Sequence, residues 1–381
     1  MSKRIYMDNS ATTPLDPRVL RGMHPYLEGQ FGNPSSLHLS GRIARQAVDR
    51  AREQVARLIN ADPDEILFTS GGTESDNIAL KSVAESFEGC HIVTSAIEHP
   101  AILSTCKYLE GRGVEVTYLP VNPDGIVQPE VLERSIRPNT GLASIMAANN
   151  VIGSLQPVSE LAAICAKRGV LFHTDAVQAV GKLPIDVKSQ PIGMLSLSGH
   201  KINGPKGIGA LFVKKGTPLH PLIHGGGQEH DLRSGTENVP GIVGLGLAAE
   251  IARGEMSEES SRLVQLRESI IDGVQAAIPG SYLIGHRYRR LPGHICLGFS
   301  GREGEAIRIL LELDDAGIEV SSGSACSSNH ASEPSYIMLA LGFDPVRARG
   351  SLRITLGRFN TEEDAGRLLD VLPSIVAGRR S

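Results

Sequence analysis

Three short segments carry side chains whose types and spacing could do chemistry. In Ser70-Gly71-Gly72-Thr73-Glu74-Ser75, two glycines stand between an apolar run and a helical pattern. Small residues there let backbone N–H groups converge on an anion, the helix N-terminus adds partial positive charge, and the Thr73 hydroxyl adds a donor. The same segment also reads as an ordinary capped turn, since Thr-x-x-Asp starts helices. It is neither a P-loop nor a GxGxxG fingerprint, so nucleotide binding is unsupported. His173-Thr174-Asp175-Ala176-Val177-Gln178 and Ser196-Leu197-Ser198-Gly199-His200-Lys201 each sit at the end of an apolar run, where open α/β sheets place their ligands. A phosphate cradle, an acid and a lysine are the parts that pyridoxal phosphate needs. The amine forms a Schiff base, and the acid keeps the pyridine nitrogen protonated so that the ring accepts electrons. Taken singly, the last two segments also read as a loop aspartate and a surface lysine.

The five cysteines, Cys90, Cys106, Cys165, Cys296 and Cys326, are odd in number, scattered, and include no CxxC pair. That pattern is neither a disulfide framework nor a metal-ligand set. Cys165 lies in a helical apolar stripe and Cys296 in a strand pattern, so both read as core. Nothing around Cys90 or Cys106 singles them out. Cys326 differs, because Ser321 to Ser328 is a Ser/Gly run that reads as an exposed mobile loop. His224-Gly225-Gly226-Gly227 resembles an esterase oxyanion loop, yet no GxSxG nucleophile elbow exists in the chain. It reads as a close-packed turn near the cofactor.

These segments need a scaffold, and the rest of the chain supplies one. Short apolar runs, Glu65–Thr69, His91–Thr94, Val114–Leu119, Ala143–Ala147, Val170–His173, Met194–Leu197 and Ala210–Val213, alternate with helical patterns. That alternation implies a mostly parallel sheet wrapped by helices. After about Gly254 the texture changes. A charged helix over 256–278 is followed by strands near 282–284 and 295–299 and by a helix over 303–316, which suggests a smaller α+β domain. The expected division is a large domain over 15–255 and a small one formed by 1–14 and 256–381. The small domain would carry a mobile cysteine loop over 321–332. At 381 residues, two domains agree with roughly 100–200 residues per domain.

Composition removes several function classes. Lys and Arg number 38 against 42 Asp and Glu, a net charge of −4, whereas a nucleic-acid binder usually shows a basic excess. Tryptophan is absent and aromatics make up 4 %, which disfavours readers that stack bases or sugars. The N-terminus reaches Asp8 too soon for a signal-peptide apolar core, and no apolar run approaches the ~18 residues of a membrane span. A soluble, cytoplasmic protein with no nucleic-acid or membrane partner is expected.

The combination and order of the motifs identify more. The chain resembles the NifS/IscS-type cysteine desulfurases, pyridoxal-phosphate enzymes of fold type I in the class-V aminotransferase family. The likeness runs through Tyr6 to Pro14, Phe31 to Ser36, Phe68 to Asn77, Glu98-His99, Asn149-Asn150, His173 to Gln178, Ser198 to Gly209, Arg233 to Thr236, Ser321 to Ser328 and Ser351 to Phe359. The resemblance implies that Lys201 holds pyridoxal 5'-phosphate covalently, that Asp175 pairs with its ring nitrogen and Gln178 with its ring hydroxyl, and that His99 stacks on the ring. Gly72, Thr73, Ser198 and His200 would hold the phosphate, joined by Thr236 from the partner subunit of a homodimer. Asn150 and Arg353 would position the substrate, Arg353 gripping its carboxylate. Cys326 would take the sulfur as a persulfide. The implied activity converts L-cysteine to L-alanine and passes sulfur to an acceptor or iron–sulfur scaffold protein, for cluster or other sulfur-cofactor biosynthesis. The alternatives are a selenocysteine lyase or another pyridoxal-phosphate lyase, and an inactive scaffold homologue. IscS-type members often carry a longer C-terminal tail used with a scaffold protein; this sequence ends at Ser381, soon after its last expected helix.

Overall fold

The computed structural model describes residues 4–323 and 334–378; Cys326 and most of the 321–332 loop lie outside the described residues. Among the described residues, one sheet has seven strands in the spatial order Ile66–Thr69, Gly209–Val213, Met194–Ser198, Leu171–Asp175, Thr140–Ser144, His91–Ser95 and Glu115–Leu119. The inner strands are buried nearly throughout, as strands covered by helices on both faces must be. Gly209–Val213 runs antiparallel to both neighbours, and the remaining pairings are parallel. The expected mostly parallel α/β sheet is therefore present. Its topology sends the C-terminal ends of six strands to one edge.

A second sheet is antiparallel and has the order Ser321–Ser322, Leu352–Thr355, His294–Phe299, Ser281–Leu283. The N-terminal strand Ile5–Tyr6 pairs with Ile318–Glu319, so the chain start returns to this C-terminal region. Two apolar clusters accompany the two sheets, and one helix, Val239–Ala277, serves both. Its first half contributes Ile242, Leu245 and Ala249 to the cluster of the larger sheet, and its second half contributes Leu266, Ile270 and Val274 to the other.

Three local expectations are corrected. The helix expected to begin near 256 is continuous from Val239, so residue 255 lies within a helix; a Cβ on Gly254 would meet open space, and glycine at a solvent-facing position weakens a helix without ending it. Ser321-Ser322, read as the start of a mobile loop, is a buried strand paired with Arg353 and Leu352. The strand expected over 143–147 spans Thr140–Ser144, although Ile145 and Ala147 still donate backbone hydrogen bonds to His173 and Asp175.

Candidate active site

The edge where the six strands end collects the polar side chains. Gly72 and Thr73 open the helix Gly72–Ser86 just after Ile66–Thr69. His99 follows His91–Ser95 and caps the helix Pro100–Glu110, its Nδ1 accepting from the Ala101 amide at 3.2 Å. Asn150 follows Thr140–Ser144. Asp175 ends Leu171–Asp175, and Ser198 ends Met194–Ser198, leading into the 3-10 turn that carries His200 and Lys201. All of these, with Gln178 and with Arg353 from the second sheet, line one cavity of about 390 Å³. The backbone approach is close: a Cβ on Gly72 would stand 2.6 Å from Val177 Cγ2, and one on Gly209 would stand 2.7 Å from Gly71 Cα. Side chains at either position would push the Gly71-Gly72 turn off the sheet edge.

The electrostatics centre on Asp175. Its Oδ1 accepts from the Val177 amide at 2.9 Å. Burial pushes its carboxyl up, and the charges of His99 and Lys201 act in the opposite direction. Behind it lie two more buried carboxyls. Asp76 is held well above the usual carboxylate range by burial and by the charge of Asp175. Burial pushes Glu98 up to about 8, although Ser95 Oγ donates to it at 2.6 Å and the Met146 amide at 2.9 Å. His173 bridges Ser144 Oγ and Ser196 Oγ at 2.8 and 3.0 Å, and burial lowers it to about 3. Burial and the nearby Lys201 charge lower His200 to about 4. Lys201 Nζ donates to the Ser10 and Ala11 carbonyls, both at 2.5 Å. Among the groups lining the cavity, Asp175 has the charge of Lys201 acting on it and Asp8 pairs with Arg353, while burial favours the neutral forms of Asp76 and His200.

Arg353 is 1 % exposed. It donates through Nη2 to Asp8 Oδ1 at 2.8 Å and through Nη1 to the Asn150 carbonyl at 3.1 Å. Gln178 donates to the Ser10 carbonyl at 3.0 Å and accepts from Lys182 at 3.3 Å. Asp8, Ser10 and Asp76 line the cavity as well, and the sequence reading assigned them no role. A signal existed for two of them: Asp76 stands one helical turn after Thr73, and Asp8 opens the Asp8-Asn9-Ser10 stretch.

Two further segments singled out in the sequence lie outside this cavity, one of them, Thr236, expected to serve the partner subunit instead. Thr236 is exposed and lines a separate cavity with Ser70, Gly207 and Arg233. The His224–Gly227 turn, expected to be close-packed, is largely exposed and lines neither cavity. Just downstream of it, Glu229 forms a buried ion pair with Arg52 at 2.5 Å. Cys90, Cys106, Cys165 and Cys296 are buried. Burial raises all four thiols, the last three to about 12.

The donor set fits pyridoxal phosphate. The hydroxyls of Thr73 and Ser198, beside a helix N-terminus at Gly72, suit a phosphate; Asp175 suits a protonated ring nitrogen; Lys201 supplies the amine. The space beside Gly72 exists because that residue lacks a side chain.

The family model for class-V aminotransferases matches residues 5–368. Cysteine desulfurase IscS from Methanosarcina thermophila is 50 % identical over 382 residues, covering 100 % of this chain and 94 % of that protein. Cysteine desulfurase IscS from Dictyoglomus turgidum is 49 % identical over 383 residues, covering 100 % and 96 %. A solved NifS-like protein superimposes with a TM-score of 0.91 at 41 % identity, covering 98 % of this chain and 100 % of that one. The chain belongs to the class-V aminotransferase family.

Glu98 generates a pH prediction. Its folded value of about 8 exceeds the ordinary glutamate value of 4.5, so between those values the folded state holds a proton that the unfolded state has lost. Stability from this group is complete below about 4.5 and is lost as pH rises toward 8. Glu98→Gln removes the titration. Denaturant unfolding at pH 5 and pH 8 should show the variant gaining stability relative to the native protein as pH rises; a constant difference would contradict the burial account.

Proposed function

We propose that this member of the class-V aminotransferase family is a pyridoxal-phosphate-dependent cysteine desulfurase, converting L-cysteine to L-alanine with transfer of the sulfur to Cys326. The observation that carries the reading is the convergence of Thr73, Ser198, Asp175, Lys201 and Arg353 on one cavity, in a chain about half identical to proteins named cysteine desulfurase. Lys201 holds the cofactor through its amine, Asp175 faces the ring nitrogen, Gln178 the ring hydroxyl, and His99 the ring face. Gly72, Thr73, Ser198 and His200 hold the phosphate. When bound, pyridoxal phosphate supplies an electron sink adjoining the substrate's α-carbon. Asn150 and Arg353 orient the substrate, because a planar guanidinium matches a carboxylate in a way that an ammonium does not.

Cys326 accepts the sulfur. The four described cysteines are buried, with thiols raised out of the reactive range, and none lines the cavity. A free thiol of pKa about 8.5 is only a few per cent thiolate at neutral pH, so His99 or the substrate amine takes its proton. The balance is closed: the substrate C–S bond breaks, an S–S bond forms at Cys326, and a proton ends on the carbon of alanine.

Thr236 serves the partner subunit's phosphate site in a homodimer. Its exposure and its separation from the cavity of its own chain support this. The protein works in the cytoplasm and delivers sulfur to an acceptor or iron–sulfur scaffold protein. No helix among the described residues is long and apolar enough to cross a membrane.

Three outcomes test the reading. Borohydride reduction of the holoenzyme followed by peptide mapping should place the pyridoxyl group on Lys201; finding it on Lys182 or Lys206 would overturn the assignment. Cys326→Ala should retain cofactor and bind cysteine while releasing almost no alanine. Native enzyme treated with cysteine should gain one reductant-labile sulfur on the Cys326 peptide, and alanine release at the native rate by the variant would contradict the role.

A further inference from the structure

The carboxylate clamp already has a carboxylate in it. Arg353 is buried, and its Nη2 lies 2.8 Å from Asp8 Oδ1. The backbone imposes this encounter. Arg353 belongs to the strand Leu352–Thr355, and two residues on, the Thr355 amide donates to the Met7 carbonyl at 2.7 Å while its carbonyl accepts from Asn9 at 3.2 Å. Met7 and Asn9 are thus stapled to that strand, and Asp8 is held between them beside the guanidinium. The Asp8 side chain keeps 18 % of its surface exposed, and it lines the same cavity as Lys201. Burial pushes the Asp8 carboxyl up, and the charges of Arg353 and Lys201 act in the opposite direction. Asp8 therefore adjoins the guanidinium that meets a substrate carboxylate and lines the cavity that holds the Lys201 amine.

We propose that Asp8 is a specificity-determining residue, forming with Arg353 an internal ion pair that an incoming α-amino acid replaces with its own two charges. The proposal rests on the reading of Arg353 as the carboxylate clamp. An arriving zwitterion brings both replacements on one carbon: its carboxylate takes Arg353, and its ammonium, before that nitrogen gives up a proton and reacts, compensates the Asp8 anion released from that pair. A carboxylate without an α-amine brings only the first. It sets two anions against one guanidinium in a largely desolvated cavity and leaves one of them uncompensated. Rejection of plain carboxylic acids is built as a repulsion rather than as a missing contact.

Two ligands that differ only in the α-amino group separate these effects: S-methyl-L-cysteine and 3-(methylthio)propionate. Their binding to the dimeric holoenzyme is measured by titration calorimetry, with cofactor content and dimer mass checked for every variant. The native enzyme should prefer S-methyl-L-cysteine. Asp8→Asn should tighten 3-(methylthio)propionate by about ten-fold or more, the scale of one hydrogen-bonded charge contact, without tightening S-methyl-L-cysteine. Asp8→Glu, which keeps the charge, should keep the native preference. Arg353→Gln should weaken both ligands. Equal shifts of the two ligands in Asp8→Asn, or no shift, would overturn the role of Asp8 while leaving the clamp intact. Undiminished binding of both in Arg353→Gln would overturn the clamp and the proposal with it. Absence of any preference in the native enzyme would overturn the proposal without recourse to a variant.

Discussion

A buried carboxylate at the end of a central strand is the constraint on which the site depends. Asp175 has little access to water, and the hydrogen bond to its side chain from the Val177 amide is not sufficient compensation for a desolvated anion. Positive charge must therefore be held close by. Lys201 and His99 act on Asp175 in that direction, and the protonated ring nitrogen of bound pyridoxal phosphate would complete the compensation. The neighbours of Asp175 obey the same constraint. Three anions packed together would destabilise one another, and burial drives Asp76 and Glu98 toward their protonated forms. His173, spanning three adjacent strands through Ser144 and Ser196, stays neutral. Of these three carboxyls, Asp175 is the one left to act as an anion.

The fold delivers this arrangement through direction more than through any single contact. Six strands ending on one edge bring together residues as distant in sequence as Thr73 and Lys201. The second sheet brings Arg353 to the same cavity, and the N-terminal segment completes it with Asp8, Ser10 and Ala11. The helix Val239–Ala277 is packed into both apolar clusters, so the two sheets share a rigid element as well as a site. Such sharing suits chemistry in which the substrate carboxylate is held from one layer and the cofactor from the other.

Much of this was legible in the sequence because burial writes strands as short apolar runs. The strands at 66–69, 91–95, 171–175, 194–198 and 209–213 lie within a residue or so of where such runs occur. The misread places have physical causes. Gly254 looked like a break, yet a glycine facing solvent leaves a long helix intact. Ser321-Ser322 looked like a loop because its side chains are polar, but its backbone is paired to the strand that carries Arg353. The candidate residues that surround the cavity were named from motif order, whereas Asp8 and Asp76 were quoted within motifs and given no task. Their parts in the site depend on long-range contacts, Asp8 with Arg353 and Asp76 with His173, which spacing along the chain does not encode.

The central claim is that Asp175 is the ionised partner that keeps the cofactor ring protonated. It is tested most directly by Asp175→Asn with ¹⁵N-labelled pyridoxal phosphate, reading ring-nitrogen protonation by NMR alongside turnover. The account predicts a variant that still binds cofactor, with an unprotonated ring nitrogen and turnover reduced by on the order of 10³, the scale of losing a charged partner worth several kcal/mol. A ring nitrogen that remains protonated, with near-native turnover, would contradict it.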